Sequence, residues 1–141
     1  ANMVMQSLIS NNLVSVIKSL TQPVLGICVG MQILFNSSEE QNCKCLGLIN
    51  DDIKKFNLPK DKAVPHMGWN KVIFENEQLI NDYYYFANSY YAPITNDTTG
   101  ICEYGIEFSA TVQKDNFFGC QFHPEKSSNS GIKFIQNFLN Y

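Results

Sequence analysis

The fold is decided by the stretch Val24-Leu25-Gly26-Ile27-Cys28-Val29-Gly30-Met31-Gln32, residues 24–32. Its apolar beginning, Val24–Ile27, is long enough only for a short buried strand. A Gly-x-Cys-x-Gly turn follows, and apolar residues then resume the spacing of a helix at Met31, Ile33, Leu34 and Phe35. Because a strand that turns tightly into a helix is the repeating unit of α/β folds, we predict an α/β domain.

Cys28 occupies the nucleophile position of a strand-turn-helix elbow, with cysteine in the place of serine. The flanking Gly26 and Gly30 would let the strand and the helix pass close together at a strained turn. The following helix would direct N–H groups and its positive dipole end at the sulfur, which favours thiolate. The N–H of Val29 would be one oxyanion donor. From these residues alone, the alternative is an inert, buried cysteine in a glycine-containing strand.

His123-Pro124-Glu125 follows an apolar segment, Phe117–Phe122, so its side chains would emerge near a strand end, where the sites of α/β proteins lie. A cysteine nucleophile needs a base, and the base needs an orienting acceptor. His123 would be that base and Glu125 the acceptor for its other ring nitrogen. The alternative is a surface loop with a solvated glutamate. The second histidine, His66, has no carboxylate close behind it, and we expect it to be structural or interfacial.

Outside this unit, apolar spacing predicts an opening helix that ends at residues 21–23, with one stripe formed by Met5, Leu8, Ile9, Leu13, Val16, Ile17 and Leu20. Five further strands are predicted at Leu46–Ile49, Asn70–Phe74, Tyr83–Tyr91, Ile101–Val112 and Phe117–Phe122. A last helix begins after Ser128 or Asn129, with a stripe of Ile132, Ile135 and Leu139 and with Phe134 and Phe138 beside it. The prediction is one α/β domain, residues 1–141, with an antiparallel insertion or edge.

The composition argues against several classes of function. The chain has 141 residues and a net charge of −3, and all ten of its cations are lysines. A mildly acidic chain without arginine is a poor candidate for binding nucleic acid. No apolar run is long enough to span a bilayer, and no secretory signal opens the chain. Five cysteines, an odd number, indicate thiols in a reducing cytosol, and Cys43-x-Cys45 lacks the second pair that a metal site needs.

Three more motifs narrow the interpretation: Val64–Asn70 (VPHMGWN), Tyr85–Tyr91 (YFANSYY) and Gln121–Ser127 (QFHPEKS). Together with Gly26–Gln32 (GICVGMQ), they resemble the class I (triad) glutamine amidotransferases. Within that class they are most similar to the glutaminase subunit of imidazole glycerol phosphate synthase. The resemblance implies a flavodoxin-like central sheet with helices on both faces and an antiparallel edge.

The resemblance also implies a reaction without metal or cofactor. Cys28 would attack the side-chain amide of glutamine, and ammonia would leave with a proton from His123, oriented by Glu125. Water would then hydrolyse the glutamyl thioester. The implied glutamine-binding residues are Gly30, Gln32, Ser89 and Tyr90.

A partner is implied as well. The ammonia would pass to a cyclase subunit, a (β/α)₈ barrel, in a cytoplasmic heterodimer that makes imidazole glycerol phosphate for histidine biosynthesis. The residues implied to face this partner are Trp69, Tyr85 and Lys126.

Two departures from the family pattern stand out. Asn88 occupies a position where this subfamily often has histidine. Family domains also begin with further strands, a helix and a glycine-rich loop that supplies an oxyanion donor, so we expect this chain to be the C-terminal majority of such a domain. Loss of one oxyanion donor costs on the order of a hundredfold in turnover.

Three alternatives to the glutaminase function are an amidotransferase paralogue for a surface-sugar pathway, another cysteine hydrolase such as a γ-glutamyl hydrolase or peptidase, or a non-catalytic interaction module.

Overall fold

The computed structural model describes residues 1–141, which form two sheets and four α-helices. The helices are α1 (Asn2–Ser10), α2 (Val14–Lys18), α3 (Val29–Gln32) and α4 (Ser128–Leu139). The strands are β1 (Val24–Ile27), β2 (Phe35–Ser38), β3 (Cys43–Lys44), β4 (Ile49–Lys55), β5 (His66–Phe74), β6 (Asp82–Asn88), β7 (Tyr90–Tyr91), β8 (Thr98–Glu103), β9 (Glu107–Lys114) and β10 (Phe117–Cys120). Two short 3-10 turns lie at Glu40–Asn42 and Pro124–Lys126. None of the helices combines the length and the apolar character needed to cross a membrane.

The larger sheet carries the strand-turn-helix unit at its edge. Its strand order is β1-β10-β9-β8-β5-β6, in which β1 and β10 are parallel and every other neighbouring pair is antiparallel. The smaller sheet has the order β3-β2-β4-β7. In the parallel pair Ile27 lies opposite Cys120, so the residues that follow the two strands leave the sheet at the same end. This register brings the segment after Cys28 and the segment around His123 to one place.

Helices cover both faces of the larger sheet. Neighbouring residues of a strand point to opposite faces. On β10, the ring of Phe118 lies 5.3 Å from the ring of Phe138 in α4. The next residue, Gly119, lies beneath Met31 of α3, where an added Cβ would come within 2.6 Å of the Met31 side chain. The predicted α/β sheet with helices on both faces and an antiparallel part is therefore confirmed.

The opening segment differs from its prediction because it forms two helices, not one. The chain breaks between α1 and α2, where Asn12 adopts a φ of 56°. Asparagine tolerates this left-handed region better than most residues. Asn11 also ends α1 by donating its side-chain amide to the Ser7 carbonyl at 2.7 Å. Most of the predicted stripe is not buried: only Met5 lies in the core, and Ile9 and Val16 are exposed.

Three strand predictions were wrong in their bounds. Ile101–Val112 is not one strand but the hairpin β8–β9, which turns at Gly105 with a φ of 76°. Tyr83–Tyr91 is interrupted at Ser89, between β6 and β7. In Leu46–Ile49 only Ile49 belongs to a strand, because the chain turns at Gly47 with a φ of 70°. Apolar content alone did not reveal the turns at Gly47 and Gly105, which depend on glycine's freedom to adopt positive φ.

The last helix lies where it was predicted, and its side towards the sheet is formed by the two phenylalanines beside the predicted stripe. It begins at Ser128, with Ser127 as the flanking residue. Ile132 is 56% exposed and Leu139 is 71% exposed, whereas Phe134 is buried. The sheet side of the helix uses Phe134 with Phe138 because these rings pack against Phe122 and Phe118. Aromatic burial therefore overrode the aliphatic stripe.

Candidate active site

Cys28 forms the predicted elbow between β1 and α3. Its φ is 54° and its ψ is −109°, an uncommon conformation for any residue other than glycine. The backbone N–H of Cys28 donates to the Cys120 carbonyl at 2.8 Å, which continues the parallel pairing by one residue. Strained backbone of this kind concentrates at functional sites. The elbow therefore lifts the sulfur out of the sheet at the end of β1.

The two glycines that flank Cys28 have different roles. A Cβ on Gly26 would lie 2.3 Å from the carbonyl oxygen of Gly30, so only glycine lets β1 and α3 approach each other in this way. A Cβ on Gly30 would meet no atom within 4 Å. The expected steric role is confirmed for Gly26 and is wrong for Gly30, which faces open space.

His123 and Glu125 form the predicted pair. The Nδ1 of His123 lies 2.6 Å from the Oε1 of Glu125, and the backbone N–H of His123 donates to the Tyr85 carbonyl at 2.9 Å. The Pro124–Lys126 turn holds the two side chains at the end of β10. No hydrogen bond joins the His123 ring to the sulfur of Cys28 in this unliganded chain. Nδ1 is thus occupied by the carboxylate, and Nε2 remains free for proton transfer.

The thiol of Cys28 does not have the lowered pKa that was predicted. Burial raises the pKa of this thiol above its ordinary value, and the Glu125 carboxylate acts in the same direction. The Val29 N–H and the side-chain amide of Gln121 oppose them. The expected lowering is therefore not found, because desolvation by burial outweighs the groups that favour the charged sulfur.

A cavity of about 280 Å³ opens beside the sulfur. Three of the four predicted glutamine-binding residues line it, namely Gln32, Ser89 and Tyr90, whereas Gly30 does not. The remaining lining residues are Cys28, Val29, Glu40, Ala87 and Asn88. Nucleophile, oxyanion candidate and predicted pocket residues therefore share one cavity, whose size is near the lower end for small-molecule sites.

Gln121 was missed by the sequence analysis. It is fully buried, and its Nε2 lies 3.7 Å from the sulfur of Cys28. Its Oε1 accepts a hydrogen bond from Nε2 of Gln32 at 3.0 Å. One signal was available in the sequence: Gln121 is a polar residue inside the apolar segment Phe117–Phe122, where a buried amide must have partners.

The residues implied to face a partner lie together on one outer surface. Trp69 and Tyr85 are directly opposite in the β5–β6 pairing, and their rings meet edge to face at 6.1 Å. The Nζ of Lys126 lies 6.0 Å from the centre of the Tyr85 ring. Trp69 is 51% exposed although it is the largest apolar side chain of the molecule. This surface is separate from the cavity beside Cys28.

His66 has the structural role that was expected. Its ring is buried and stacks on Tyr104 at 3.9 Å and on Phe86 at 5.0 Å. Burial lowers the pKa of His66 to about 4, with a smaller contribution from Lys62. Cys43 and Cys45 are buried thiols, and Cys102 and Cys120 lie in the core.

The fold and the site together define a class I glutamine amidotransferase. A family model for class I glutamine amidotransferases matches residues 6–140. A crystal structure of a glutamine amidotransferase superposes with a TM-score of 0.67 and 13% identity, covering 96% of this chain and 69% of the other.

Curated relatives narrow the assignment to one branch of that class. The imidazole glycerol phosphate synthase subunit HisH of Shewanella sediminis is 44% identical over 149 residues, covering 99% of this chain and 68% of the relative. HisH 2 of Legionella pneumophila is 44% identical, with 96% and 71% covered. HisH of Escherichia coli O157:H7 is 46% identical, with 99% and 74% covered. The chain belongs to the HisH family of class I glutamine amidotransferases, which confirms the resemblance found in the sequence.

Proposed function

We propose that the chain is a glutaminase that hydrolyses glutamine to glutamate and ammonia. The observation that supports this most is the shared end of β1 and β10. There the Cys28 elbow opens on a cavity, and the His123–Glu125 pair lies in the segment that follows the neighbouring strand β10. Membership of the HisH family supports the choice of glutamine over other amides.

The first half-reaction forms a thioester. The sulfur of Cys28 attacks the carboxamide carbon of glutamine, and the Val29 N–H stabilises the negative oxygen that develops. The thiol is neutral before substrate binds, so its proton must pass to Nε2 of His123 as the bond forms. Glu125 holds Nδ1 and stabilises the resulting imidazolium. His123 then returns the proton to the leaving nitrogen, and ammonia departs.

The second half-reaction releases glutamate. Water attacks the glutamyl thioester and gives a proton to His123, which passes it back to the departing sulfur. The backbone of Ser89 and Tyr90 would hold the amino acid end of the substrate, and Gln32 would shape the pocket, since all three line the cavity. Gly30 would keep the space beside α3 open, because it presents no side chain there.

The ammonia would be used by a partner. We propose that Trp69, Tyr85 and Lys126 dock a cyclase subunit built as a (β/α)₈ barrel, in a heterodimer of the cytoplasm. The product would be imidazole glycerol phosphate for histidine biosynthesis. The exposure of Trp69 and its edge-to-face contact with Tyr85 support a docking role, because large exposed aromatic side chains are typical anchors of interfaces.

The test measures glutamate release from glutamine, with and without the cyclase subunit of a HisH relative's synthase. We expect release that disappears in Cys28→Ala and His123→Ala and persists in Cys43→Ala, which removes a buried thiol that does not line the cavity. A glutamine-mimicking electrophile should label Cys28, and added glutamine should prevent the labelling. No glutamate under either condition would contradict the proposal and leave the chain as an interaction module.

A further inference from the structure

A series of connected hydrogen bonds between partly or fully buried groups ends on the sulfur of Cys28. It starts at the carbonyl oxygen of Tyr90, which accepts from Nε2 of Gln32 at 3.1 Å and from Nδ2 of Asn88 at 2.9 Å. The same Nε2 of Gln32 donates to Oε1 of Gln121 at 3.0 Å. Nε2 of Gln121 then lies 3.7 Å from the sulfur. Gln32 and Gln121 are both buried, and the bond between their side chains is buried as well.

The donor and the acceptor of each hydrogen bond in this series follow from the first bond, in which the Tyr90 carbonyl accepts. A backbone carbonyl can only accept, so the group that Gln32 presents to Tyr90 must be its NH₂. One hydrogen of that NH₂ goes to Tyr90 and the other to Gln121, which must therefore present its oxygen to Gln32. The remaining NH₂ of Gln121 faces the sulfur of Cys28. The orientation of both amides is thus determined by a backbone group and does not depend on the protonation of any side chain.

We propose that Gln121 is a catalytic residue, whose side-chain amide donates a hydrogen bond to the sulfur of Cys28, and that Gln32 is a positioning residue that orients this amide. The inference rests on the proposed glutaminase function and adds a group that it does not use. A donor aimed at sulfur strengthens as negative charge develops, because charge-assisted hydrogen bonds are stronger than neutral ones.

Other groups around the sulfur do not replace this donor. The Glu125 carboxylate raises the pKa of the Cys28 thiol, and Glu40 also lines the cavity. Cys120 is buried, and burial raises the pKa of its thiol well above the ordinary value, so it remains neutral. Besides Gln121, the Val29 N–H favours the charged sulfur. His123 makes no hydrogen bond to the sulfur before substrate binds.

The experiment follows alkylation of Cys28 by iodoacetamide as a function of pH, read peptide by peptide in a mass spectrometer. Gln121→Met keeps the length of the side chain and removes the donor. We expect its profile to move up by about one pH unit, which is about tenfold less thiolate at a pH below the pKa. Gln121→Glu, which keeps the shape but presents a carboxylate, should move the profile further. The matched control is Gln113→Met, on the neighbouring β9 and away from the cavity that contains Cys28.

A second variant guards against loss of folding. Gln32→Met leaves Gln121 in place but removes its orienting partner, so we expect a smaller shift in the same direction. Overlapping profiles for wild type and a folded Gln121→Met would overturn the inference. If Gln121→Met does not fold, an unchanged profile in Gln32→Met overturns it instead.

Alkylation needs no glutamine, so the two proposals fail separately. A shifted profile in a chain that releases no glutamate would contradict the glutaminase function alone. Glutamate release together with an unshifted profile would contradict only the role of Gln121.

Discussion

Substitution of Gly26 by alanine should destabilise the elbow between β1 and α3. The added Cβ would lie 2.3 Å from the Gly30 oxygen, 2.5 Å from the Gly30 carbon and 2.8 Å from the Met31 nitrogen. All three atoms are backbone and cannot rotate away, so α3 must move by about 1 Å or more to restore ordinary contact. Overpacking costs roughly 1–3 kcal/mol, and a rigid obstacle places this site near the upper end, about 3 kcal/mol. For a chain of this size that lowers Tm by about 10 °C.

Gly30→Ala is the matched control for this prediction. It adds the same methyl group to the residue whose backbone the Gly26 Cβ would meet, but the Cβ of residue 30 itself meets no atom within 4 Å. Alanine is also favoured over glycine in a helix, so stability should be unchanged or rise by up to about 1 kcal/mol. Thermal and urea unfolding, followed by circular dichroism, measure both variants. A Tm for Gly26→Ala within about 2 °C of wild type would show that α3 moves freely and that the elbow does not depend on this approach.

Three further predictions test other parts of the molecule. His66→Phe should remove a pH dependence of the unfolding free energy. The pKa of His66 is about 4 in the folded chain, so the unfolded chain binds more protons between pH 4 and 6.5. In urea unfolding, the wild type should therefore lose about 2 kcal/mol of unfolding free energy from pH 7 to pH 5, which the variant keeps. Gly131→Ala would bring a Cβ too close to the Pro124 carbonyl, so Tm in thermal scans and turnover in glutamate assays should both fall, although alanine normally stabilises a helix. Unchanged values would mean that the turn carrying Glu125 adapts. Trp69→Ala should change the unfolding free energy by no more than about 0.5 kcal/mol, but it should weaken binding of the cyclase subunit, as measured by titration. The control Ile73→Ala, also half exposed on β5, should leave that binding unaltered.

The chemistry-bearing residues were predictable because their motifs are local. The strand, the elbow and the helix after it lie within residues 24–32, and His123 with Glu125 lies within three residues. Backbone conformation and short-range side-chain pairing are determined over such distances, so the Cys28 elbow and the His123–Glu125 contact were both anticipated correctly.

The errors came from features that depend on distant parts of the chain. The stripe predicted for α4 does not show which side is buried, because Phe134 and Phe138 beside it have aromatic partners on β10 and just after it. The hairpin β8–β9 was read as one strand because its turn depends on a single glycine between two apolar segments. The thiolate predicted at Cys28 assumed a helix dipole and left out desolvation, which follows only from the packed neighbours of the sulfur.

The amino-acid sequence by itself determined the family, the Cys28 elbow and the His123–Glu125 pair proposed to act with it, since these lie in short motifs. The tertiary structure decided how those motifs act together. The parallel pairing of Ile27 with Cys120 brings segments far apart in the chain to one strand end. Burial then raises the pKa of the Cys28 thiol, and the same burial encloses Gln32 and Gln121 so that their hydrogen bonds reach the sulfur. Desolvation and orientation are properties of packed neighbours, and no local pattern contains them.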